Sequence, residues 1–96
     1  TYTARIFSAE EALKWGFVTQ IVDDPLAHAM AIAEQIVVKN PDAVRAAKRI
    51  LDRANYQTQA EGLLFESEQQ DQILGTPNQI EAVMAQMQKR APKYKD

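Results

Sequence analysis

Ser8-Ala9-Glu10-Glu11-Ala12-Leu13-Lys14-Trp15-Gly16 holds both ends of one helix in a single short phrase. The Ser8 hydroxyl can accept the amide of Glu11, and the Glu11 carboxylate can reach back to the amide of Ser8, the reciprocal pattern of a capping box. Gly16, which adopts positive φ without steric cost, marks the stop after Trp15. Glu10 and Glu11 fall in the first turn, where acids offset the helix dipole. An acid–base carboxylate pair would instead need a cleft and environments that separate the two pKa values. Capping is therefore the reading taken for both.

The same punctuation continues along the chain. Thr58-Gln59-Ala60-Glu61 repeats the box, and Thr76-Pro77-Asn78-Gln79 repeats it with glutamine in the reciprocal place. Asp24-Pro25 and Asn40-Pro41 each set a capping side chain before a proline, whose fixed φ suits the first helical position. Gly75 after Leu74 is a second left-handed stop. These signals predict five helices, near 9–15, 25–39, 41–55, 59–74 and 77–90. Periodicity agrees for most. Leu26, Met30, Ala33 and Val37 form one apolar stripe, Val44, Ala47, Leu51 and Ala54 a narrower one, and Ile80, Val83, Met84 and Met87 a third. The fourth helix is less regular, since Leu63-Leu64-Phe65 is followed by a polar run from Ser67 to Gln72. Only residues 17–22 read as a strand, and one strand makes no sheet. It either pairs with another part of the protein or serves as an extended connector. The expected fold is all-α, with five helices, one short strand-like connector and a mobile tail from Pro92.

Composition narrows the function classes. Of 96 residues, 46% are hydrophobic and 25% charged, which excludes a disordered chain. No apolar run reaches the roughly 18 residues of a membrane span. Eleven basic against thirteen acidic residues give a formal charge of −2, which argues against nucleic-acid binding by bulk electrostatics. With no cysteine there is no disulfide framework, thiolate metal site or thiol nucleophile. A reducing compartment fits, and the expected location is cytoplasmic. The chain opens on Thr1, without methionine and in mid-phrase, so a piece of something longer is expected.

Few residues could carry chemistry alone. His28, the only histidine, sits at the edge of a helical stripe with no second ligand type beside it, and reads as a boundary residue. Arg45, Lys48, Arg49 and Arg53 make one basic face, more simply a solvated face than a phosphate site. Lys89-Arg90-Ala91-Pro92-Lys93-Tyr94-Lys95 is the densest positive segment and follows a helix end, where cations complement the dipole. Gly16, Gly62 and Gly75 are isolated, unlike a phosphate-cradling loop. No self-sufficient active site is legible.

The order of segments resembles the C-terminal part of the enoyl-CoA hydratase/isomerase (crotonase) superfamily. The residues that carry the likeness are Phe7 to Val18, the extended Thr19-Gln20-Ile21-Val22 and the helix start at Pro25-Leu26. Asn40-Pro41-Asp42-Ala43-Val44-Arg45-Ala46-Ala47-Lys48 and the close from Glu81 to Tyr94 complete it. The likeness spans essentially the whole chain. It departs at Gln86, where the family has an aromatic, and at Ala82, where glycine is common. The resemblance implies a crotonase-like α/β parent acting on acyl-CoA thioesters through an enolate, with no tightly bound cofactor. Its oxyanion hole, a set of preorganised donors, and its catalytic glutamates would lie upstream of Thr1. Residues 1–96 would then be the helical trimerisation region, catalytically inactive alone. The family's trimer or dimer of trimers is the implied assembly, and Lys89 is the implied partner for the coenzyme A phosphates of a neighbouring subunit.

Two rival classes compete with that reading: a free-standing helical oligomerisation or adaptor module, and a nucleic-acid-binding helical domain resting on the basic faces alone. The apolar stripes further imply self-association, possible through exchanged helices, because helices shaped to cover a larger body expose patches of interaction size. Neither a membrane nor a nucleic acid is expected as partner.

Overall fold

The computed structural model describes residues 2–95. Five helices run in order: α1 Ala9–Lys14, α2 Pro25–Val37, α3 Pro41–Arg53, α4 Gln59–Asp71 and α5 Pro77–Met87. No strand occurs among the described residues; Phe17 to Val22 is irregular, with bends at Phe17 and Thr19. The chain divides within α2 into two compact bodies, residues 1–33 and 34–96.

Every helix starts where its cap lies. Ser8 and Thr58 form complete capping boxes with Glu11 and Glu61. Asp24 accepts the amide of Ala27 at 2.9 Å, and Asn40 accepts that of Asp42 at 3.0 Å. At Thr76 the box is altered: its hydroxyl accepts the Gln79 amide, but the Gln79 side chain accepts from Gly75, one residue earlier than expected. The helices stop one to three residues short of the expected ends. There the backbone tightens into bonds three residues apart, such as Lys39 to Ile36, Ala54 to Leu51 and Ile73 to Gln70.

In the first body Gly16 closes α1 at φ 76°. The amide of Phe17 bonds the Ala12 carbonyl at 2.9 Å and that of Gly16 the Leu13 carbonyl at 3.1 Å, a Schellman closure. Arg5 forks onto Glu11 and lies 5.1 Å from the centre of the Trp15 ring. Phe7 meets Trp15 edge-on and lies against Phe17. These contacts hold the residues before α1 against it.

In the second body α3 packs on α4. Arg49 donates to the buried Gln69 side chain, and Arg53 lies 4.2 Å from the centre of the Phe65 ring. Buried apolar residues are Ala12, Ala46 and Ala85 only, and no large side chain is fully buried among the described residues. Buried side-chain polar atoms are nevertheless all paired among the described residues.

α5 closes by the same Schellman pattern as α1: Arg90 bonds the Ala85 carbonyl at 3.0 Å and Lys89 the Gln86 carbonyl at 3.2 Å. The left-handed residue is here Lys89, at φ 51°, where α1 uses glycine. For a residue with a Cβ that basin costs about 1–2 kcal/mol. Lys89→Gly is therefore expected to raise stability by about 1 kcal/mol, read from urea unfolding. A loss of stability would show that residue 89 is not left-handed in solution.

Candidate functional site

The segment after α5, expected to be a mobile tail, is tied back along that helix. Asn78 and Glu81 stand one turn apart on α5 and so share a face. The buried Asn78 amide accepts from the Lys95 backbone N–H at 2.8 Å and donates to the Lys95 carbonyl at 2.8 Å. Its Nδ2 also donates to Asp42 at 3.0 Å, which joins the start of α3 to α5. The Glu81 carboxylate accepts both terminal nitrogens of Arg90, one at 2.9 Å, and the Lys93 N–H at 2.7 Å. Residues 90–95 thus run back antiparallel to α5. The physical reason is that side-chain carbonyl and carboxylate groups supply the backbone partners a neighbouring strand would otherwise give.

This arrangement sets the electrostatics. The Arg90 fork first, then the Lys93 amide, pull the Glu81 carboxyl down to about 2 from an ordinary 4.5. Glu11 is lowered by Arg5 and then by the Ser8 amide, Glu10 by the Ser8 side chain, and Glu61 by Thr58. Each of these carboxylates is held ionised by a cap or clamp, which makes it a poor proton carrier near neutrality. What the closing segment offers is positive charge. Lys89 is exposed at the end of α5, and among the described residues its ammonium has no partner.

The other candidates disperse. The basic face of α3 is engaged within the body: Lys48 pairs with Asp52 at 2.7 Å, Arg45 lies 3.9 Å from Asp42, and Arg49 and Arg53 turn to α4. Glu10 and Glu11 cap α1, as the sequence indicates. His28 is half-buried beside a shallow groove with Thr19, Val22 and Ile32, and no group of three metal-ligating side chains exists among the described residues. A larger groove of about 490 Å³ is lined by Val37, Pro41, Val44, Pro92 and Tyr94, with Lys39 and Arg45 beside them.

Sequence reasoning missed Asn78 and Glu81. In the sequence Asn78 reads only as an interior residue of the Thr76 capping phrase. The available signal for Glu81 was its solitude: it is the only acid between Gly75 and Asp96, and it precedes a basic run.

Five capped helices, a glycine-closed α1 and a basic close tied to α5 define an all-helical segment among the described residues. Residues 1–96 match the enoyl-CoA hydratase/isomerase family, and the chain belongs to it. A probable enoyl-CoA hydratase of Mycobacterium tuberculosis is 36% identical over 94 residues, which cover 96% of this chain and 37% of that protein. A short-chain-enoyl-CoA hydratase of Clostridium acetobutylicum is 33% identical over 91 residues, covering 93% of this chain and 35% of that one. Among solved structures, an enoyl-CoA hydratase from Polaromonas sp. JS666 superimposes with a TM-score of 0.80 at 26% identity, covering 93% of this chain and 35% of the other. A probable enoyl-CoA hydratase/isomerase from Mycobacterium abscessus gives 0.78 at 34% identity, covering 91% and 35%. The chain thus spans little more than a third of the length of these relatives, as a helical C-terminal part of a crotonase fold would.

The clamp has a defined acid limit. A carboxylate whose pKa is depressed on folding adds stability that is complete above its ordinary value and lost as pH falls through the folded one. Attachment of the closing segment is expected to be intact above about pH 4.5 and to weaken between there and about 2. The Lys93 amide, followed by NMR, should keep its downfield hydrogen-bonded shift at pH 4. Loss of that shift between pH 7 and 5 would contradict the clamp.

Proposed function

We propose that this chain is the C-terminal helical region of a longer acyl-CoA enzyme of this family, serving subunit association and closure over coenzyme A. Acyl-CoA thioester is the substrate, no cofactor is tightly bound, and neither a membrane nor a nucleic acid is a partner. The reaction passes through an enolate stabilised by an oxyanion hole in the remainder of the enzyme. Lys89 supplies a flexible ammonium to the phosphates of coenzyme A held by a neighbouring subunit. The enzyme works in the cytoplasm. The names of the relatives support hydration as the reaction.

One observation carries this reading: the helices leave their apolar faces uncovered. On α2, Leu26 is 74% exposed and Val37 75%; on α4, Leu64 is 63%; on α5, Met87 is 75% exposed with Ile80, Val83 and Met84 beside it. In total the chain exposes 8338 Å². Two separate compact bodies of 33 and 63 residues would together expose only about 6,600 Å². The excess, about 1,700 Å², is about twice the roughly 800 Å² that one partner contributes to a standard specific protein interface. At about 25 cal/mol per Å², covering even half of it with apolar contacts would contribute roughly 20 kcal/mol before ordering costs, far beyond any pair of surface salt bridges. A surface outside these residues, or a second copy, is the natural cover.

Two measurements on the purified 96-residue chain test this. Light scattering should find self-association at tens of micromolar, and the chain alone should not hydrate a short enoyl-CoA that the full-length enzyme hydrates. A monodisperse monomer at high concentration, or turnover by the chain alone, would refute the proposal.

A further inference from the structure

Lys89 occupies the left-handed residue of the α5 closure, at φ 51°, a position where glycine is conformationally cheaper. Such outliers persist where neighbouring contacts over-determine them. Here the contacts are known. On one side, the amides of Lys89 and Arg90 bond the Gln86 and Ala85 carbonyls. On the other, Arg90 and the Lys93 amide both close on the single carboxylate of Glu81, and Arg90 also reaches the Gln88 side chain at 2.6 Å. Relaxing residue 89 to the right-handed basin would continue the helix and carry Arg90 and Lys93 away from Glu81. The left-handed turn and the Glu81 clamp therefore stand or fall together.

We infer that Glu81 is a positioning residue for Lys89: by gripping Arg90 and the Lys93 amide it holds the turn that presents the Lys89 ammonium beyond the end of α5. The inference rests on the reading of Lys89 as a phosphate partner and adds how that ammonium is held. Glu81 itself touches neither phosphate nor thioester. Its effect is to settle in advance the ordering of a long, exposed side chain's backbone, which binding would otherwise have to supply. Glycine at 89 would relieve the strain and lose the charge, and glutamine at 81 would keep the shape while losing the charged grip on Arg90.

The test uses the full-length enzyme, with a short enoyl-CoA and the same enoyl group on a truncated pantetheine thioester that carries no nucleotide phosphates. The quantity read is the preference, in kcat/KM, for the coenzyme A thioester over the truncated one. Lys89→Ala should reduce that preference about tenfold, mainly through KM, as expected for a charge-assisted contact. Glu81→Gln should reduce it about fivefold, also through KM. In the double variant, Glu81→Gln should add nothing to Lys89→Ala, because the two act through one ammonium. General damage to the fold would lower both substrates together and leave the preference unmoved, which overturns the inference. Full additivity of the two substitutions also overturns it. If Lys89→Ala leaves the preference unchanged, the phosphate reading itself fails and the inference with it. If Lys89→Ala acts and Glu81→Gln does not, only the positioning role of Glu81 fails.

Discussion

The uncovered apolar face is the constraint on which the rest of this structure depends. A protein of this length ordinarily places its leucines, isoleucines and aromatics against each other, at roughly 1.5–3 kcal/mol for each fully buried side chain. Here the buried apolar positions are alanines, and the large side chains of α2, α4 and α5 face outward. Alanine lets helix backbones approach but contributes little area. The driving force that would normally hold such helices has to come from contact with other surface.

In its place, polar contacts set the geometry inside each body. Asn78 joins Asp42 to the Lys95 backbone, Glu81 joins Arg90 to Lys93, and Arg49 reaches Gln69 between α3 and α4. Individually such bonds contribute about 1 kcal/mol net, since water competes for the same groups. Their value is directional. In the second body they settle how the closing segment runs back along α5 and how α3 meets α4. A region that gives up its own core keeps its apolar surface available for contact with other surface, which is the basis of the proposed function.

Local rules made the helices legible and tertiary contacts did not follow from them. Ser8, Asp24, Asn40, Thr58 and Thr76 each marked a start correctly, because a cap satisfies amides within three residues of itself. Gly16 and Gly75 both take left-handed φ, at 76° and 77°, and Gly16 closes α1, whereas α4 ends at Asp71, ahead of the stop expected at Gly75. Lys89 carried no such signal, since no propensity argument puts a lysine in that basin. The grip of Glu81 on residues nine and twelve positions later, and of Asn78 on Lys95, crosses a chain reversal that begins at that same lysine. The likeness of the Glu81 to Tyr94 segment to the enoyl-CoA hydratase/isomerase family was visible in the sequence, whereas the role of its glutamate as a clamp was not.

Calorimetry tests the central claim most directly, because the heat capacity of unfolding reports the apolar area that folding hides. A self-sufficient domain of this length shows about 1.2–1.4 kcal/mol/K. At high dilution the isolated chain should give a broad, weak endotherm and a value below about 1 kcal/mol/K. A sharp, concentration-independent transition with the full heat capacity would contradict the account.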